Sequence, residues 1–112
     1  MITAGSLVLV HLSSPPEQFW GVLEDLGPAG VTIRGLNVGS FEDFLAQAAR
    51  GEELSLGFST LFVPMFRVER IYLDEQVGSV RSYRQRFEDR VGRPLEGFLD
   101  LGGGREDDTL PS

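Results

Sequence analysis

The chain has 112 residues, no Cys, one His and a formal charge of −7, from 17 acidic residues against 10 basic ones. That length supports a single domain, and a 41% hydrophobic content separates the chain from acidic disordered sequences. The missing cysteine excludes a disulfide framework, a thiolate nucleophile and Cys-built metal sites, and no apolar run approaches the roughly 18 residues of a membrane span.

Residues 6–12, Ser-Leu-Val-Leu-Val-His-Leu, read as a first strand that the tandem Pro15-Pro16 terminates. A second run, 18–26, carries Phe19, Trp20, Val22, Leu23 and Leu26, and a third covers 31–36. Gly27-Pro28-Ala29-Gly30 joins them as the turn of a hairpin. Gly21, inside its strand, marks a bulge or a close approach of another backbone, and such a glycine permits a sharp bend. The period then changes. Phe41, Phe44, Leu45 and Ala48 recur at helical spacing and Gly51 supplies a stop, which predicts a helix over 41–50. Ser40 and Asp43 sit at capping-box spacing before it, with Asp in place of Glu.

Residues 56–74 return to strand character. Pro64 cannot donate to a ladder, so the segment divides into strands at about 57–63 and 66–73 around a tight corner. Phe66 and Val68 share one parity while Ile71 and Leu73 share the other, so a bulge is expected near Glu69 and Arg70. Val80, Tyr83, Phe87 and Val91 form one stripe of a second helix, 80–91, closed by Gly92 and Pro94. Its buried rings, Tyr83 and Phe87, should dock on the strands or on a neighbouring subunit. Residues 95–101 fit either a short strand or a further helical turn. The domain is expected to span 1–101, with 102–112 a disordered acidic tail.

Five short strands, a bent second strand and a tight fourth–fifth corner describe a small SH3-like barrel, mainly β with added helices. The chain resembles the Sm-like (LSm) family over roughly residues 5–74, apart from the 40–51 insertion. The carriers are Gly21-Val22-Leu23 with Val31-Thr32-Ile33, and the run from Leu61 through Pro64 to Ile71. The resemblance implies a five-stranded barrel whose fourth strand pairs with the fifth strand of a neighbour, closing a ring. The family's RNA site uses an Asp and an Asn around the hairpin between strands two and three, and an Arg/Lys-Gly pair at the fourth–fifth corner. This chain has Gly27-Pro28-Ala29-Gly30 and Pro64-Met65 there. The resemblance therefore carries the architecture and not the RNA site.

Chemistry-bearing residues are sparse. His11 is the only imidazole; Ser13 and Ser14 lie close in sequence, yet no nucleophile-elbow pattern surrounds them. His11 reads as a strand-end residue with a local hydrogen bond. The acidic doublets, Asp74-Glu75 among them, read as solvated surface, and no Asp-x-Asp-x-Asp-Gly loop is present. Gly102-Gly103-Gly104 lacks the Lys-Ser/Thr end of a phosphate cradle. Neither a catalytic group, a metal site nor a cofactor is expected. All ten basic residues are Arg, which reads as source composition. Five of them fall between Ser79 and Pro94, giving that segment +3 and the remainder −10. Arg84 and Glu88 are spaced for an i,i+4 pair. Arg86 and Arg90 are alike in charge at the same spacing, so they call for an acidic surface or an anion. The acidic remainder favours the former over nucleic acid.

The expectation is a non-catalytic, self-associating module whose partner is itself or another protein. An RNA-binding ring using noncanonical Arg contacts is the alternative. The oligomer interface is expected at Leu61, Phe62, Val63, Met65 and Phe66, an apolar run with no charge between Gly57 and Arg67. The N-terminal residues Met-Ile-Thr-Ala-Gly lack the basic start of a signal peptide, so a cytoplasmic protein without membrane contact is expected.

Overall fold

In a computed structural model, residues 1–51 and 53–99 are described; the expected tail at 102–112 and the domain boundary at 101 lie outside them. The strands are β1 Leu7–Leu12, β2 Glu17–Gly27, β3 Gly30–Asn37, β4 Ser59–Pro64 and β5 Val68–Leu73, and the helices are α1 Phe41–Arg50 and α2 Tyr83–Val91. All strand pairs are antiparallel, and the five form one open sheet in the order β4-β3-β2-β1-β5. The protein is thus mainly β, with α1 inserted between β3 and β4 and α2 following β5.

Strand alternation sorts the apolar residues onto two faces. Val8, Val10, Leu12, Leu23, Val31, Ile33 and Val63 make one buried cluster on the inner face of the sheet. Trp20 and Leu36 point to the other face, where Phe41, Phe44, Leu45 and Ala48 of α1, Phe87 of α2, Phe58, and Leu95 and Phe98 of the terminal 3-10 turn cover them. Each such fully buried side chain contributes about 1.5–3 kcal/mol. The aromatic contacts add direction: Phe87 stacks on Phe44 at 5.6 Å, and Phe98 meets Phe87 edge-on at 5.0 Å. The expected docking of α2 is present, on the helix-bearing face of its own sheet, with Phe87 fully buried and Tyr83 half-buried.

Gly21 pairs with Gly35 across β2 and β3. A Cβ on Gly21 would stand 2.0 Å from the Arg34 carbonyl oxygen and 2.5 Å from Gly35 Cα, so the close approach demands glycine. The bulge expected on β5 is present. Leu12 pairs with Val68 and His11 with Arg70, which leaves Glu69 as the extra residue.

Three local expectations are corrected. The second helix begins at Tyr83 rather than at residue 80, because Ser82 accepts from the Gln85 backbone N–H and Gln85 returns a contact to the Ser82 N–H. Val80 instead forms a small bridge with Val77 and is exposed. Ser40 makes no side-chain cap on α1; Asn37 caps the preceding 3-10 turn, its Oδ1 accepting from Gly39 N at 2.7 Å. The corner after Pro64 is a 3-10 turn, Met65–Arg67, so Phe66 lies in the turn and not in β5. Of the two readings left open after α2, residues 95–98 take the helical one, a 3-10 turn with Leu95 and Phe98 buried.

Candidate assembly surface

β4 ends the sheet on one side and β5 on the other, each hydrogen-bonded to a single neighbouring strand. Edge strands expose unpaired backbone groups and are ordinarily protected by charge, Pro or a bulge. β5 carries Glu69 and Arg70 and the bulge, and Arg70 bonds both the Tyr72 hydroxyl and Glu69. β4 has only Pro64 at its end.

The five expected interface residues divide by face. Val63 is 4% exposed and belongs to the inner cluster, with half-buried Leu61 and Met65 packed against it. Phe62 and Phe66 are 56% and 85% exposed. The structure therefore leaves Phe62 and Phe66 facing outward and places the other three toward their own core. Gly30 lies beneath the Phe62 ring, where a Cβ would be 2.6 Å from Cζ and 2.3 Å from the Val63 carbonyl oxygen. Leu26, near the same hairpin end, is also exposed. Behind this surface the corner is clamped: Arg67 donates to the carbonyls of Ser13 and Pro15 at 3.2 and 2.7 Å and pairs with Glu17 at 3.5 Å.

The arginine-rich helix finds most of its anions inside the chain. Arg86 pairs with Glu42 of α1 at 2.7 Å, and its guanidinium lies 4.8 Å from the Phe41 ring centroid and 5.2 Å from that of Tyr83. Arg81 pairs with Asp89, and Arg84 bridges Glu88 and Glu96. The hydrogen bond from Arg84 holds the Glu96 carboxyl below its ordinary range, and Glu96 in turn raises the Arg84 guanidinium. Arg90 is exposed and forms no ion pair among the described residues; it lines a shallow depression with Glu42, Leu45, Arg81, Arg86 and Asp89.

The His11 side chain makes no hydrogen bond among the described residues, contrary to the expectation; its ring meets Tyr72 edge-on at 4.9 Å. It lines a polar cleft of about 460 Å³ with Glu17, Gln18, Asn37 and Glu69. Among the described residues no group of three His, Asp or Glu side chains could hold a metal ion, and no helix is long and apolar enough to cross a membrane.

Two residues escaped the sequence reading. Asp74, expected to be solvated, accepts from Trp20 Nε1 at 3.1 Å and from the Tyr83 and Arg84 backbone N–H groups at 2.8 and 2.9 Å. It ties β2 to the start of α2. Arg34, in mid-β3, is 2% exposed. Neither placement has a local sequence signal, because Asp74 accepts from Tyr83, 9 positions away, and Arg34 donates to the Leu99 carbonyl, 65 positions away. The chain matches no protein-family model, no curated protein and no solved structure.

Proposed function

We propose that this protein is a non-catalytic β-domain of SH3-like, Sm-like build that associates with copies of itself. The observation that carries the reading is the β4 edge. It is free on one side, uncharged from Gly57 to Phe66, and flanked by two outward phenyl rings, Phe62 and Phe66. A lone protomer would keep that edge and those rings in water, which natural sequences ordinarily avoid. The same chain offers a second free edge, β5, at the opposite end of the sheet. One copy's β4 against the next copy's β5 covers both edges and repeats from copy to copy until the rotation closes.

The barrel element of the proposal draws on the strand order, the sharp β2–β3 approach at Gly21 and Gly35, and a single 3-10 turn between β4 and β5. The ion pairs of Arg81, Arg84 and Arg86 favour a protein-interaction role over RNA, because those guanidiniums already have carboxylate partners. Light scattering coupled to size exclusion tests the assembly. A mass that is a multiple of 12.3 kDa at micromolar concentration is expected, and a monomer mass throughout a dilution series would overturn the reading. Salt-sensitive, micromolar binding of short RNA in a filter assay would favour the ring-type RNA binder instead.

A further inference from the structure

Seven large apolar side chains are exposed among the described residues, and six of them gather toward the two ends of the sheet. Leu26, Phe62 and Phe66 lie toward β4. Tyr72, Val77 and Val80 lie beyond β5, beside a groove of about 290 Å³ between β5 and the start of α2. Half-buried Leu9, Leu73 and Tyr83 line the groove together with those three. Of its polar members, Glu75 is exposed and the others are already engaged. Asp74 accepts from Trp20, Tyr83 and Arg84, Ser82 Oγ accepts from the Gln85 N–H, and Arg81 pairs with Asp89. What the groove still lacks is therefore apolar cover. Val77 and Val80 exchange two backbone hydrogen bonds around Gly78, at 3.0 and 2.9 Å. That closed turn holds both valines at the lip, exposed, where packing in their own core does not account for them.

We propose that the groove beside β5 receives Phe62 and Phe66 of a second copy, so that each protomer carries a plug at one edge and a socket at the other. The proposal rests on the self-association reading and adds the side-chain contact which that reading leaves unnamed. Size agrees: an apolar cavity of roughly 150 Å³ admits a benzene molecule, so a groove of about 290 Å³ has room for two phenyl rings. Charge agrees as well. Only Val63, Pro64 and Met65 separate the two rings, so they enter together without carrying an ion out of water. A symmetric contact of β4 against β4 would cover the rings but leave Tyr72, Val77 and Val80 in water. The plug-and-socket contact covers both patches at once. It is heterologous, so it repeats from copy to copy until a ring closes.

Two surface variants of the full-length protein, each blocking one half of the contact, test it by light scattering coupled to size exclusion at micromolar concentration. Phe62→Glu with Phe66→Glu removes the plug and keeps the socket. Val77→Glu with Val80→Glu closes the socket and keeps the plug. Each alone should run as one protomer, 12.3 kDa. A 1:1 mixture should run at twice that mass, because one intact plug still meets one intact socket. If the parent itself is a monomer, the self-association reading falls and this contact falls with it. If the parent assembles and either variant keeps the parent's mass, the contact is overturned while self-association through another surface stands. If both variants are monomers and their mixture stays monomeric, the interface is not plug against socket, and the assignment is again overturned. Circular-dichroism melts check that the variants fold. Should either lose more than about 8 °C in Tm, Phe62→Ser with Phe66→Ser and Val77→Ser with Val80→Ser replace them in the same mixing experiment.

Discussion

Phe62 and Val63 are adjacent in sequence and opposite in environment, so one substitution made at each separates assembly from folding. Val63→Glu puts a carboxylate where the side chain is 4% exposed among Val31, Ile33 and Leu61. No basic group belongs to that cluster, so the charge is unpaired. Its effective desolvation penalty is several kcal/mol, to which the lost burial of a Val adds about 1.5–3 kcal/mol. A domain of this size has roughly 5–15 kcal/mol in total, so Val63→Glu should unfold the protein or bring its Tm near ambient temperature. Phe62→Glu removes a ring that is 56% exposed and whose cross-strand neighbour is Thr32. Cross-strand pairs are worth about 0.2–1 kcal/mol, so Tm should fall by no more than about 8 °C while the scattering mass drops to one protomer. Circular dichroism melts and light scattering on both variants decide the matter. A folded Val63→Glu with the parent's Tm would refute the assignment of the inner face. A Phe62→Glu that keeps the parent's mass would refute the assembly surface.

Phe87→Ala should cost about 3–5 kcal/mol, because the ring is fully buried between Phe44 and Phe98; a chemical-denaturation loss below about 1 kcal/mol would mean that α2 is not docked. Gly21→Ala should destabilise by about 1–3 kcal/mol or more, since its Cβ would meet backbone at 2.0 Å, whereas Gly27→Ala, with nothing within 4 Å, serves as the neutral control. The Glu96 carboxyl is depressed by Arg84 from 4.5, so its contribution is present above the unfolded pKa and disappears as pH falls through the lower folded value. Glu96→Gln should therefore flatten stability against pH only in that acid window and change little else, since an exposed pair contributes less than about 1 kcal/mol; an altered slope near pH 7 would contradict this origin.

The elements legible in the sequence were those whose signal is local. Gly51 and Gly92 ended their helices where the periodicity stopped, and the clash in parity between Val68 and Ile71 located the bulge at Glu69. Val80 misled because its spacing continues the Tyr83–Phe87 stripe, and only the Ser82–Gln85 capping box decides where the helix starts. The apolar run 61–66 was legible, but not which of its members face out, because the corner at Pro64 breaks the alternation.

Asp74 and Arg34 were illegible for one common reason. Both are charged residues whose burial depends on contacts made far along the chain. The sequence places Asp74 after β5 and Arg34 inside β3, where a solvated surface position is the ordinary expectation. What changes their environment is the second apolar face of the sheet. Once α1, α2 and the 95–98 turn cover Trp20 and Leu36, every polar residue on that alternation needs an internal partner. Asp74 obtains three donors, two of them the backbone N–H groups of Tyr83 and Arg84 in the first turn of α2. Arg34 obtains two acceptors, and its Nη2 has no partner among the described residues. The helices that convert a half-exposed sheet into one buried on both sides thus impose the need for internal partners at Asp74 and Arg34, and they leave Phe62 of β4 exposed.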